Sequence, residues 1–567
     1  MTRIRLIGAP RIITVDGTVR ELRGQKPWAV LARIVLADRA LSRRELSGEL
    51  FPEAADPLGS LRWCLAELRR ALGDSTVLSG DPVQPGMPEG VSVDVLSLDT
   101  LDPDAIGTGE LLEGVDPACG PEFDTWLLVA RQRVAARVDA ALHQRALSAL
   151  SRGRVDEAVH AAELAARRSP YDEGAHVLLA KSLVAAGRES VAVAHVEQVE
   201  ALFRTELRRE PSPALRSAAR STVSEPPPGV SAAAQVQTLL DAGRAALEAG
   251  VADAGVDCLR RAVACADDDG DPALRCTALF ELGHALVYSV RGFDDEGVVL
   301  LGQAAELAGL VGDDVTASAA LADMGYADAL AGRRDAAEAV FEAAGPLAGD
   351  DPLALSGVVA HRGFNLTDWG RHAEAIELLR EASELAARSG DRRRQSRVLG
   401  LGAWAFLRSG MVDEAREWAG RSLELARDAR WTAFEPFPLM LVAECDLCTD
   451  ATTVGRAELE RLFAMTCHLQ DPCWEGGAAR VLAMHHAANG DAAEALRWIR
   501  EAYQRSTRVS DTWAGMIGEI LLSEAQMRRD LDDRSGAEAA AREAIAFAAR
   551  AQLDDTLARA LELFRSR

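Results

Sequence analysis

Arginines spaced along one side of an amphipathic segment are the groups in this chain best suited to chemistry. In residues 56–73, DPLGSLRWCLAELRRALG, Leu58, Leu61, Leu65, Leu68 and Leu72 recur at three- and four-residue steps. A helix places them in one stripe and leaves Arg62, Trp63, Arg69 and Arg70 off it. The preceding SRRELSGELF at 42–51 is predicted to be a helix that buries Leu46 and Leu50 and exposes Arg43 and Arg44. A helix entering a DNA major groove needs one apolar side to seat on its own domain and an opposite cationic side for phosphate oxygens and guanine edges. Periodicity alone fits an ordinary surface helix as well, so the flanking elements decide.

Those elements are consistent with one another. Residues 3–7 and 11–15 are rich in β-branched side chains, and Lys26-Pro27-Trp28 opens the apolar run AVLARIVLA. After the two helices, residues 76–78 and 91–95 are predicted as strands of a hairpin, separated by DPVQPGMPEG, whose prolines and glycines mark a turn. Sheet, three helices and hairpin is the order of a winged helix. On these residues, 1–97 resembles the OmpR-type DNA-binding domain of the SARP/AfsR-type transcriptional regulators. The reading of the helix faces, with the resemblance, makes Lys26, Arg43, Arg44, Ser60, Arg62, Trp63, Arg69 and Arg70 the candidate DNA-contacting set. Arg62, in the first turns, is placed for base reading, and Arg69 and Arg70 for phosphates. Where the family pattern often has a basic residue this chain has Glu67, so no contact is carried to that position.

Residues 109–218 resemble the bacterial transcriptional activation domain that accompanies such winged helices. The likeness rests on the acidic-Ala step after Gly153, on Pro170-Tyr171-Asp172-Glu173, and on the closing Glu-Leu-x-x-Glu-Pro-Ser-Pro at 206–213. It implies a helical bundle, a second copy of the chain as partner, and engagement of RNA polymerase with its sigma factor at promoter DNA. The residues themselves point to stacked helix pairs: Gly153 and Gly187 lie 34 residues apart, each followed five positions on by a small residue, Ala158 and Ala192.

Three consecutive prolines within 221–231, STVSEPPPGVS, set a linker at 219–231 between a 98–218 domain and a repeat region at 232–567. In that region glycines at 292, 332, 370, 410 and 490 recur at intervals near 40, with Asp450 at the missing beat, and Ala337, Ala375, Ala415 and Ala495 follow five residues on. One helix hairpin cannot bury its own apolar face, so roughly eight are expected to stack as a right-handed α-solenoid, closed by a capping helix at 554–567. The fold class expected is therefore mainly α: a winged helix, a TPR-like bundle and a TPR-like solenoid. Seven of ten tryptophans fall between Trp369 and Trp513. Most would be core; Trp369, Trp404, Trp431 and Phe434 are the candidates for a groove taking a peptide or small-molecule effector.

Composition removes several other chemistries. No window reaches the roughly 18–20 apolar residues of a membrane span, and Met1-Thr-Arg-Ile-Arg leads straight into a strand, so neither membrane anchor nor signal peptide is expected and the cytoplasm is the default. Lys26-Pro27 and Lys181-Ser182 lack the glycines of a phosphate-cradling loop, which excludes ATP hydrolysis of that type. Nine cysteines, an odd number, argue against a disulfide framework. Cys445-x-x-Cys448 with Cys467 and Cys473 has a zinc-like spacing, against which stands the reading of small buried cysteines inside a repeat; neither cofactor, metal nor catalysis is expected. Residues 1–70 carry +5 of a net charge of −24, leaving −29 on 71–567. Two readings stay open: a DNA-binding transcriptional regulator, or a repeat scaffold whose winged helix binds protein.

Overall fold

The computed structural model describes residues 2–37, 39–74, 76–84, 87, 90–98, 109–208, 210–211, 213–219, 232–248, 251–269, 271–450, 454–509 and 511–565. The chain forms two compact units, one of residues 1–142 with 167–169, the other of 143–166 with 170–567. The expected linker at 219–231 lies almost wholly outside the described residues.

The first unit begins with strands β1 (Thr2–Arg5), β2 (Arg11–Ile13) and β3 (Val19–Arg20), then helices α1 (Lys26–Val35), α2 (Arg43–Leu50) and α3 (Pro57–Leu72), then β4 (Val91–Val93) and the start of α4 (Pro121–Ser151). The sheet order is β3-β2-β1-β4, with β1 antiparallel to β2 and parallel to β4. Alternation puts Ile4, Ile12 and Val93 in the core. Asp94 anchors the crossing, its carboxylate accepting the backbone N–H groups of Leu6 and Ile7 at 2.9 Å.

The hairpin expected between 76–78 and 91–95 is not formed. Residues 76–78 turn instead: Leu78 has φ 54° and Gly80 φ 88°, and the Arg69 guanidinium takes the carbonyls of Val77 and Leu78 at 2.8 Å. Carbonyls held by a side chain, next to left-handed backbone, cannot enter a ladder. Val91–Val93 pairs with β1 instead, and the third strand, Val19–Arg20, is too short to show a period of its own.

Among its described residues the second unit has helices and the turns between them, and no strand. After α4 come α5 (Val155–Arg168), α6 (Glu173–Ala185), α7 (Glu189–Leu202) and α8 (Pro213–Ala218). Among the described residues eight hairpins follow: α9 (Ala232–Glu248) with α10 (Ala252–Asp269), α11 (Pro272–Tyr288) with α12 (Asp294–Val311), α13 (Asp314–Leu330) with α14 (Arg334–Leu347), and α15 (Pro352–Trp369) with α16 (His372–Ser389). They continue as α17 (Arg392–Arg408) with α18 (Val412–Asp428), α19 (Pro436–Thr449) with α20 (Arg456–Leu469), α21 (Pro472–Ala488) with α22 (Ala492–Ser506), and α23 (Ala514–Asp530) with α24 (Arg534–Arg550). The final α25 (Asp554–Arg565) packs on the last pair.

Local chemistry repeats with the architecture. Asp271, Asp351 and Asp471 each cap a first helix by accepting backbone N–H groups, with proline at the next position, where no N–H is missed. Gly332, Gly370, Gly410 and Gly490 take positive φ between the two helices of a hairpin. Five residues on, Ala337, Ala375, Ala415 and Ala495 are buried. The missing glycine at 450 has a structural counterpart: α19 ends at Thr449, Asp450 is extended, and the next helix starts only at Arg456. First helices of successive hairpins also touch one another, α13 on α15 and α15 on α17 among them, so they form one inner layer.

Candidate functional site

Helix α3 is built as a two-sided rod. Asp56 caps it through Gly59 N–H at 2.8 Å, Pro57 occupies the first turn, and Gly73 closes it at φ 76°. Leu61, Cys64, Leu65, Leu68 and Ala71 face the core. Two predicted stripe members differ: Leu58 is 48% exposed and Leu72 only half-buried, because the buried side runs through Cys64 and Ala71 instead.

The outward face presents Leu58, Arg62, Trp63, Ala66 and Arg70. Trp63 is 52% exposed, and among the described residues the 67% exposed Arg62 side chain makes one loose ion pair, 3.6 Å to Asp56. In high dielectric such a pair is worth little, so the guanidinium is available. Arg44 on α2 is exposed as expected, while Leu46 and Leu50 are buried. Ser60 is half-buried and donates its hydroxyl to the Asp56 carbonyl at 3.0 Å.

The other predicted cations are engaged within their own unit. Arg69 holds Val77 and Leu78, as above, which removes it from the outward set. Arg43 donates its Nε to Gly80 O at 2.9 Å and its backbone N–H to Asp81 at 2.8 Å, so it clamps the same turn. Arg70 forks onto Glu67 at 2.9 and 2.6 Å. Lys26 sits 5.0 Å over the Phe51 ring. Glu67, to which no DNA contact was assigned, is a buried tie within the domain that also accepts the Arg23 backbone N–H at 2.9 Å. The Arg70 hydrogen bond and the Arg23 N–H offset the cost of burial and hold its carboxyl down at about 2.

In the repeats, Trp404 is 1% exposed, so it belongs to the core rather than to a groove surface. Its indole N–H donates to Asp368 at 2.9 Å, and the Trp513 indole donates to the other oxygen at 2.7 Å, with Arg334 3.5 Å away. Beside it Arg408 bridges Glu444 and Glu519, and Arg480 forks onto Glu444 at 2.7 and 3.0 Å. Burial works to raise the Glu519 pKa, but Arg408, Arg559 and Arg480 outweigh it and keep it at about 2. Trp369 is half-buried under Arg371. Trp431 stacks on the buried Phe434 at 4.4 Å, and Arg397 lies 5.2 Å from the Trp431 ring. Arg397 and its neighbour Tyr288 escape a reading of the sequence; their signal is the arginine-dense RRRQSR at 392–397, which by composition reads as a solvated run.

The cysteines with zinc-like spacing do not converge. Among the described residues no group of three or more His, Cys, Asp or Glu could hold a metal ion. Cys445 and Cys473 are buried thiols, each pushed up to about 12 chiefly by desolvation. No helix among the described residues is long and apolar enough to cross a membrane.

Comparison with known proteins places two segments. Residues 108–221 match the bacterial transcriptional activator domain, and residues 358–428 match the tetratricopeptide repeat. No curated protein matches the chain. Among solved structures it is similar to a Rap protein complexed with Competence and Sporulation Factor, at 10% identity over 73% of this chain and 99% of that one, TM-score 0.34. It is also similar to Mycobacterium tuberculosis EmbR in complex with a low affinity phosphopeptide, at 19% identity over 43% and 71%, TM-score 0.30. Yeast Tom70 aligns at 13% identity over 78% and 91%, TM-score 0.30. The chain thus carries a segment that matches the bacterial transcriptional activator domain and, C-terminal to it, a segment that matches the tetratricopeptide repeat.

Proposed function

We propose that the chain is a sequence-specific DNA-binding transcriptional regulator, acting as an activator. In this reading α3 enters the major groove with Arg62 and Trp63 toward base edges, and Arg44 and Arg70 meet phosphates. Arg43 and Arg69 position the helix by bracing the turn at 77–81, and Lys26 and Ser60 stay at the margin of the interface. The observation that carries the proposal is the division of α3 into a buried apolar side and an outward side where Arg62 is nearly unpaired, in a chain whose next segment matches an activator domain. Residues 108–221 engage RNA polymerase and its sigma factor and support a homodimer on promoter DNA, while the repeats receive an effector or protein partner. Nothing in this assignment calls for catalysis, and both matched families are regulatory or interaction modules.

Mobility shift of the full chain against a genomic fragment library tests it. A sequence-specific complex is expected, and Arg62→Ala should relax preference at one base position by about 1–3 kcal/mol. Intact cognate-site affinity and preference in that variant would remove Arg62 as a base reader. One observation favours the scaffold reading: Leu58 and Trp63 leave exposed apolar surface on the same face of α3. A library with no retained fragment would favour protein as the partner of this face.

A further inference from the structure

Several buried arginines of the repeats answer a carboxylate. Arg334 pairs with Asp368, Arg408 and Arg480 with Glu444 and Glu519, and Arg291 lies 3.8 Å from Asp471. On α17 the pattern breaks within one turn. Arg392 reaches Asp428 and Arg393 reaches Glu248, but among the described residues Arg394 and Arg397 form no side-chain ion pair or hydrogen bond. Both are half-buried.

The surroundings of Arg397 are aromatic. Its guanidinium carbon lies 3.9 Å from the Tyr288 ring centroid, 5.2 Å from Trp431 and 5.9 Å from Phe434. Tyr288 stacks on Tyr326 at 5.0 Å, and Tyr326 on His361 at 4.7 Å. The acid nearby, Asp323, is already occupied: the Tyr288 hydroxyl donates to one oxygen at 2.8 Å and His284 Nδ1 lies 2.7 Å from the other. Gly357 leaves room for Arg394, whose guanidinium lies 3.0 Å from where a Cβ would stand. Burial, with the adjacent Arg394 charge adding to it, pulls the Arg397 pKa below the ordinary arginine value. The cradle thus holds two close cations with their N–H forks uncommitted, and rings that supply apolar walls and fix the plane of one fork.

We propose that Arg394 and Arg397, with Tyr288 and Trp431, form a binding site for an oxyanion, carboxylate or phosphate, carried on a flat apolar body that seats against Trp431. A fork-shaped donor pair matches either anion bidentately, and partial desolvation strengthens the contact. The proposal deepens the effector part of the function above, on which it rests, and says what class of effector the repeats would take.

Calorimetric titration of the full chain with benzoate, phenyl phosphate and inorganic phosphate tests it. Saturable binding of at least one ring-bearing anion is expected, tighter than inorganic phosphate; benzoate against phenyl phosphate separates the two anion sources. Arg397→Gln should weaken binding about tenfold or more, the size expected for loss of a charged hydrogen bond, and Arg394→Gln should weaken it in the same direction. The exposed Arg388→Gln should leave it unchanged. Because Arg397 also fills interior space, Arg394→Gln serves as the deciding variant if Arg397→Gln does not fold. No saturable binding by any of the three anions, or equal affinity in wild type and Arg394→Gln, overturns the site. Mobility shift with DNA in the same variants should be unaltered, so failure here and failure of the DNA-binding reading are told apart.

Discussion

Asp368 shows how one buried residue organises a region that periodicity describes only as apolar. Two indole N–H groups and one guanidinium converge on it, so Asp368→Ala leaves two buried indole donors without a partner and the Arg334 charge without its carboxylate. Losing one side of a buried ionic network costs about 3–5 kcal/mol; the unfolding transition of the repeat region in urea should shift by that order, and a shift below about 1 kcal/mol would contradict the assignment. His361 makes a pH prediction at the same scale. It is buried, and desolvation pushes its pKa down from 6.5 to about 3. The folded protein therefore refuses a proton that the unfolded chain accepts, so this stability is present above pH 6.5 and is lost as pH falls from there toward 3. Thermal midpoints measured between about pH 7 and 4.5 should fall, and His361→Gln should flatten that slope even if it lowers stability overall.

At the scale of elements, the alanines five residues beyond each turn glycine set how closely paired helices approach. Ala375 and Ala415 are fully buried, so Ala375→Leu should cost roughly 1–3 kcal/mol by overpacking. Ala387→Leu on the exposed side of α16 should change stability by less than about 0.5 kcal/mol. Chemical denaturation of the two variants checks the contrast, and equal effects would mean that the crossing is not tight. Helix α3 carries the opposite lesson. Its apolar side was legible, but the division of its arginines was not: Arg69 braces a turn eight and nine residues away, and Arg62 remains open. Periodicity gives the side of a helix on which a group lies, whereas its partner depends on a loop whose path no period encodes.

For the whole molecule, charge distribution decides how DNA would be held. The +5 within residues 1–70 faces −29 on the rest, and several of those cations are internally engaged. Few phosphate contacts imply a shallow dependence of affinity on salt and weak binding to arbitrary sequence. In the full chain, Arg44→Ala should weaken cognate and random DNA alike and reduce the slope of log affinity against log salt by about 1; an unchanged slope would remove Arg44 from the phosphate contacts.

Helix content, the turn glycines, the buried alanines and the number of hairpins were all present in the order of the residues, because each depends on neighbours within one or two turns of helix. The folding of residues 76–78 into a turn and the parallel seat of Val91–Val93 were not, since the first depends on a side chain reaching across from α3 and the second on pairing with β1. The same holds for the interior of the repeats. Arg408 meets Glu519 across 111 positions and Trp513 meets Asp368 across 145; Trp404 is buried beside these pairs, while among the described residues Arg394 and Arg397 meet no carboxylate. A linear pattern carries the spacing of side chains along one helix; which charges neutralise one another is settled only when the inner helices are brought together and water is removed between them.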